Sequence, residues 1–234
     1  MTLAGTMLVG AVLLMPGSLP AGAVLSEMQL AQRPYDAGAA RDAATKIRQL
    51  VEERQQGRGP GGDESGLGDL MQFLAESIRS VRDLRVVDDD VLDAIVALAG
   101  NGRLATDTIL RFGDRSVAPL VQWIRSSALR SNRAGAIDTL QDMLTDPEIQ
   151  RTLSSDSRGA IHALAQEVMG NASLSFVELA SAACLAIATG DAELRAAAVR
   201  LTDRGELTAR GVNPDRQSFV VSRIRTALDR APIR

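Results

Sequence analysis

Residues 112–124 read FGDRSVAPLVQWI, and the fold turns on how they are parsed. Gly113 stands one position past an apolar run at 109–112, where glycine closes a helix. Asp114 follows at a position suited to capping the next helix. Val117, Leu120, Val121 and Ile124 then recur at the three-to-four-residue spacing of a single helix face. Trp123, the one tryptophan, falls to the side of that face at roughly 100° per residue. It either buries against a neighbouring helix pair or stays partly exposed as an aromatic anchor for a partner.

The same signature spreads in both directions. Upstream, Val91, Leu92, Ile95, Val96 and Leu98 form a short apolar helix that stops near Gly100. Asp88, Asp89 and Asp90 precede it. They lack the alternating ligands, glycine and distal glutamate of a calcium loop, so they are expected to cap that helix and oppose its positive end. Further upstream, Leu67, Leu70, Met71, Leu74, Ile78 and Val81 share a face. Residues 35–56 read as one helix capped by Asp36, with Ala40, Ala44, Ile47, Leu50 and Val51 in register. That face is weakly apolar, and only loose docking is expected of it. Downstream come Ile137, Leu140 and Leu144; Ile161, Leu164 and Val168; Leu179, Leu185 and Ile187; Leu194, Val199 and Leu201; and Val220, Val221, Ile224 and Leu228. No strand pattern intervenes. The predicted fold class is all-α, a short irregular α-solenoid of stacked helix pairs. One helix pair cannot bury its apolar face alone, so neighbours share a core. The alanines between 180 and 198 suit close helix contact.

Composition narrows the function classes. The chain has 234 residues, 45% apolar, with 24% charged and a formal net charge of -3. That is enough apolar material for one good core and too little positive charge for a nucleic-acid binder by total charge. One Cys and one His exclude an intramolecular disulfide and the multi-thiolate and two-His metal motifs. All but one of the 26 basic side chains are arginine, so single arginines carry little weight as signals.

Three segments resemble the helices of bacterial HEAT-like, armadillo-type repeats. FGDRSVAPLVQWI looks like a first repeat helix bent at Pro119, and NRAGAIDTLQDML (132–144) like a second helix. DAELRAAAVRL (191–201) is similar to the turn and second helix of the family, and SDSRGAIHALAQEV (155–168) is a weaker copy. The resemblance covers roughly 91–201. Arg133, Arg158 and Arg195 are unevenly spaced, which departs from a regular superhelix. The resemblance implies a binding or scaffolding role through an extended surface, with no enclosed pocket by default.

The termini suggest export. An apolar run at 7–15, the breakers Pro16 and Pro20, and Ala21-Gly22-Ala23 read as a signal peptide cleaved after Ala23, or as an uncleaved anchor, although no Lys or Arg precedes the run. The expected organisation is a signal peptide at 1–23, an N-terminal segment with one helix at 24–56, a flexible Gly-rich linker at 57–68, and a helical repeat domain at 69–234. Gly57, Gly59 and Gly62 match a dinucleotide-binding spacing, but no strand delivers them, so the match is discounted.

Few residues suggest chemistry. His162 and Cys184 are the one candidate base and thiol, and both read as packing positions inside helices. From Arg195 to the end, arginines outnumber acids. After Asn213-Pro214-Asp215, a good helix start, Arg216, Arg223 and Arg230 are seven apart and form a stripe, with Phe219 between the first two. A solvated face explains such a stripe; as a site it would hold acidic protein segments, phosphate or anionic headgroups. The binding candidates are therefore Arg216, Phe219, Arg223, Arg230 and Trp123, with no catalytic or metal residues and no cofactor.

The leading expectation is an exported, periplasmic or secreted, non-enzymatic scaffold or adaptor. Its partner would be another protein or peptide of the cell envelope or secreted fraction, with membrane contact only through an uncleaved N-terminus. One alternative is a HEAT-like lyase or hydrolase subunit with a dispersed carboxylate and arginine site; bilin lyases of that type belong to the family. Another is a nucleic-acid binder of the alkylation-repair helical-repeat type, which the acidity and the signal peptide oppose.

Overall fold

The computed structural model describes residues 35–57 and 64–230, and these belong to one compact unit. Among the described residues every regular element is helical and none is a strand, in agreement with the all-α expectation. The signal peptide expected at 1–23 and the centre of the expected linker, 58–63, lie outside them. The helices are α1 (Ala37–Gln55), α2 (Glu64–Arg79), α3 (Asp89–Val96), α4 (Arg103–Phe112), α5 (Val117–Ser126) and α6 (Arg130–Thr145). They continue as α7 (Pro147–Thr152), α8 (Ser155–Gly170), α9 (Phe176–Ala188), α10 (Ala192–Arg200), α11 (Arg204–Ala209) and α12 (Pro214–Arg230). Short 3₁₀ turns occupy Leu84–Val86 and Gly113–Ser116.

Contacts run along the chain in two rows. In one row α1 touches α3, α3 touches α5, α5 touches α8, and α8 touches α10. In the other α2 touches α4, α4 touches α6, α6 touches α9, and α9 touches α12. The rows are joined where α1 meets α2, α3 meets α4, α5 meets α6, and α8 meets α9.

Local chemistry explains most helix starts. The Asp36 carboxylate accepts hydrogen bonds from the Gly38 and Ala39 amides at 2.9 and 3.1 Å, and Asp191 caps α10 through the Leu194 amide at 2.8 Å. Both satisfy amides that a helix leaves unpaired at its N-terminus. Pro214 opens α12, behind an Asn213 side chain that accepts from the Asp215 amide.

Four expectations need correction. α1 does not dock loosely: Ala40, Ala44 and Ile47 are completely buried, because an alanine-lined face lets the helix lie close to α2 and α3. α2 begins at Glu64, inside the stretch expected as linker; burying Leu67 beside Met71 and Leu74 outweighs the weak helix propensity of the nearby glycines. Asp88 occupies the N-cap position of α3 but makes no side-chain cap bond. Its carboxylate pairs instead with Arg41, while Asp89 pairs with Arg115 and Asp90 with Arg48. Asp114 likewise caps nothing on its own helix. It accepts from the Ser154 amide at 2.8 Å and the Ser154 hydroxyl at 3.0 Å.

Two features fix the middle of the array. Gly100, at φ +86°, ends the turn after α3 and lies against Gly135 of α6; a Cβ added at Gly135 would fall 2.1 Å from the Gly100 Cα. Only glycine permits that approach. Beside it, the buried Asn132 side chain donates to the Ala97 carbonyl at 2.9 Å. The other feature is α9, in which residues 178–187 are all buried. A helix apolar on every side has to be surrounded, and α6, α8, α10 and α12 surround it.

Candidate functional site

The C-terminal end of α9 and the turn after it open into a groove of about 1260 Å³, to which α6, α7, α8, α10 and α12 also contribute. Pockets for small molecules typically enclose about 300–1,000 Å³, so the space suits a longer occupant. The expectation is an extended surface with no enclosed pocket by default, and the surface carries this groove. The groove forms around the end of α9 and the turn that follows it.

The lining has two characters. Leu144, Cys184 and Ile187 are buried apolar side chains. The half-buried and exposed groups include the charged Asp142, Arg158, Arg195, Arg223 and Arg230, with His162 beside them. Arg158 donates to the backbone carbonyls of Leu153 and Gln150, closing the turn ahead of α8. Arg223 holds Asp138 with two nitrogens, at 2.8 and 3.3 Å, and donates to the Ser181 hydroxyl. Desolvation in the groove, reinforced by the neighbouring Asp138, raises the Asp142 carboxyl above the ordinary carboxylate range. Arg195 and Arg230 have no ion pair or side-chain hydrogen bond among the described residues.

His162 and Cys184 both line this groove, but each is engaged elsewhere. His162 Nε2 lies 3.2 Å from the Asp191 carboxylate. The Cys184 thiol donates to the Arg223 carbonyl at 3.6 Å. Burial pushes that thiol above its usual pKa, the opposite of what an activated nucleophile requires. Asp191 is held below the ordinary carboxylate range by the Leu194 amide and then by His162.

The expected arginine stripe is divided by its neighbours. Arg216 lies over the Phe176 ring at 5.2 Å, and Phe176 meets Phe219 edge to face at 5.6 Å. Phe219 remains 40% exposed. Arg223 is an internal tie between α12 and α6, so neutralising it disturbs packing as well as charge. Arg230 alone of the three reaches the groove free of a partner among the described residues. Trp123 is half-buried against the core, and its indole N–H is buried without a hydrogen-bond partner among the described residues. It lines a smaller hollow of about 240 Å³ with Val51, Val96 and Pro119. The structure brings neither Trp123 nor Arg216 to the groove.

Sequence reasoning missed Arg158 and Arg195 as groove residues, and it missed the ion pair of Arg133 with Glu178. The Ser175–Glu178 spacing was a legible capping box, and both of its reciprocal bonds are present. Glu178 is nevertheless completely buried. One carboxylate oxygen accepts from Arg133 and the other from the Ser175 amide and hydroxyl. No protein-family model, curated protein or solved structure matches the chain.

Proposed function

We propose that the chain is a non-enzymatic protein-binding scaffold, a short irregular α-solenoid of HEAT-like type, that receives a polypeptide segment in the groove at the C-terminal end of α9. The observation that carries this reading is the size and shared construction of the groove, about 1260 Å³ assembled from six helices that include members of both rows. The two-row contact pattern supports the solenoid description, since each helix leans on the one before it in its row. Export remains part of the proposal and rests on residues 1–23. Among the described residues no helix is long and apolar enough to cross a membrane.

The test places a photoreactive side chain at Thr226, which lines the groove, and in a second variant at Glu53, an exposed position on α1. In the source envelope fraction, discrete protein adducts from Thr226 and none from Glu53 are expected. The same adduct pattern from both positions removes the reading. A second reading, a lyase or hydrolase subunit, is favoured by the presence of Asp142 and His162 in one groove with several arginines. Turnover of a small molecule that is lost in His162→Ala and Asp142→Asn would establish it in place of the scaffold.

A further inference from the structure

The groove has more positive charge than its own carboxylates balance. Arg158, Arg195, Arg223 and Arg230 line it, and Asp142 is the one lining carboxylate among the described residues. Arg223 is neutralised by Asp138. Arg158 gives its hydrogen bonds to backbone carbonyls and faces no carboxylate partner among the described residues. Arg195 and Arg230 have neither kind of partner. This excess sits in a chain whose formal net charge is -3, so it runs against the molecule as a whole.

Between these cations lie accessible apolar side chains, Pro147, Ala188, Ala192 and Ala227, over a buried layer of Leu144, Ile187 and Cys184. A free anion would leave that surface uncovered. A nucleic acid would want aromatic platforms for its bases, and no Phe, Tyr or Trp lines the groove. A polypeptide bearing both carboxylates and aliphatic side chains satisfies both characters at once. Guanidinium groups match carboxylates in a two-pronged geometry, and unpaired arginines present that fork without first breaking an internal bond.

Building on the scaffold reading, we infer that the groove selects an acidic polypeptide segment, its carboxylates held by Arg195 and Arg230 and its aliphatic side chains seated on Pro147, Ala188, Ala192 and Ala227. Arg158 adds charge at the α8 side of the groove, and Arg223 supports the α12 wall through Asp138.

The experiment uses the full chain with an environment-sensitive dye on Thr226→Cys, the native Cys184 being buried. The probes are a short peptide alternating Glu and Leu, its Gln and Leu counterpart, an oligodeoxythymidylate of equal charge, and anionic phospholipid vesicles. The Glu–Leu peptide is expected to shift the dye signal and to bind at least about tenfold more tightly than the Gln–Leu peptide. Binding should weaken with added salt. Arg195→Glu with Arg230→Glu should reduce affinity by at least about tenfold, with unchanged circular dichroism and melting temperature. Arg195→Gln with Arg230→Gln should also weaken binding of the Glu–Leu peptide, which keeps the test sound if charge reversal impairs folding. Equal dye shifts and affinities for the two peptides overturn the acidic selectivity and leave the scaffold reading standing. No dye response to any peptide overturns both. Stronger binding of the oligonucleotide or the vesicles assigns the arginines to a different class of partner and overturns the inference.

Discussion

Two arginine–carboxylate ties in this molecule have the same Nε–oxygen distance and different consequences. Arg41 Nε meets Asp88 at 2.7 Å and joins α1 to the start of α3. Arg133 Nε meets Glu178 at 2.7 Å and joins α6 to α9. The side chains of the first pair are 59% and 33% exposed, and those of the second 24% and 1%. Water screens the first pair and competes for it, so its net contribution is small. Glu178 has no water to return to. Its charge is tolerated because Arg133, the Ser175 amide and the Ser175 hydroxyl occupy both of its oxygens. Burial, and not bond length, therefore separates a tie that holds two helices together from one that decorates their edges.

The sharpest way to break this comparison is to remove Arg133 and keep Glu178. Arg133→Met should cost about 3–5 kcal/mol, since it leaves a buried carboxylate without its counter-charge; urea denaturation would measure it. Removing both charges together, Arg133→Met with Glu178→Gln, should recover part of that loss. A single loss no larger than that of a surface pair would refute the burial argument. Next in size is Gly135→Ala, which drives a methyl group into the Gly100 backbone. A cost of about 1–3 kcal/mol is expected from such overpacking, and Gly57→Ala, with open space around it but a positive φ, should cost less.

A smaller effect is expected at the edge of the groove. Asp191 has a folded pKa below its ordinary value, so the folded state binds its proton less readily than the unfolded chain. The stabilisation is fully present above the unfolded value of about 4 and is lost as pH falls through the lower folded value. Melting temperatures measured down the acid limb should therefore fall less steeply in Asp191→Asn than in the parent chain. The smallest effect belongs to the exposed pair: Arg41→Ala and Asp88→Ala should leave the melting temperature unchanged within reproducibility.

The residues that were read correctly from sequence acted on near neighbours. Asp36 and Asn213 cap helices within three residues of themselves, so their roles were visible in the string. The roles of Asp88 and Asp114 were misread because their partners lie 47 and 40 residues away. In both, a longer-range donor displaced the local cap. The arginine stripe on α12 shows the same division. A seven-residue spacing correctly aligns Arg216, Arg223 and Arg230 on one helix, but Phe176, Asp138 and the groove, each on other elements, give them three different surroundings.

The apolar repeat along the chain settled by itself that the protein is built of helices and which faces they bury, because helix periodicity and capping depend on neighbours a few residues apart. The packing of those helices decided that α9 would be enclosed by four others, that Glu178 would be buried with Arg133, and that cations from α8, α10 and α12 would meet over an apolar floor. Such meetings join residues remote in sequence, and the sequence alone carries no record of their distance in space.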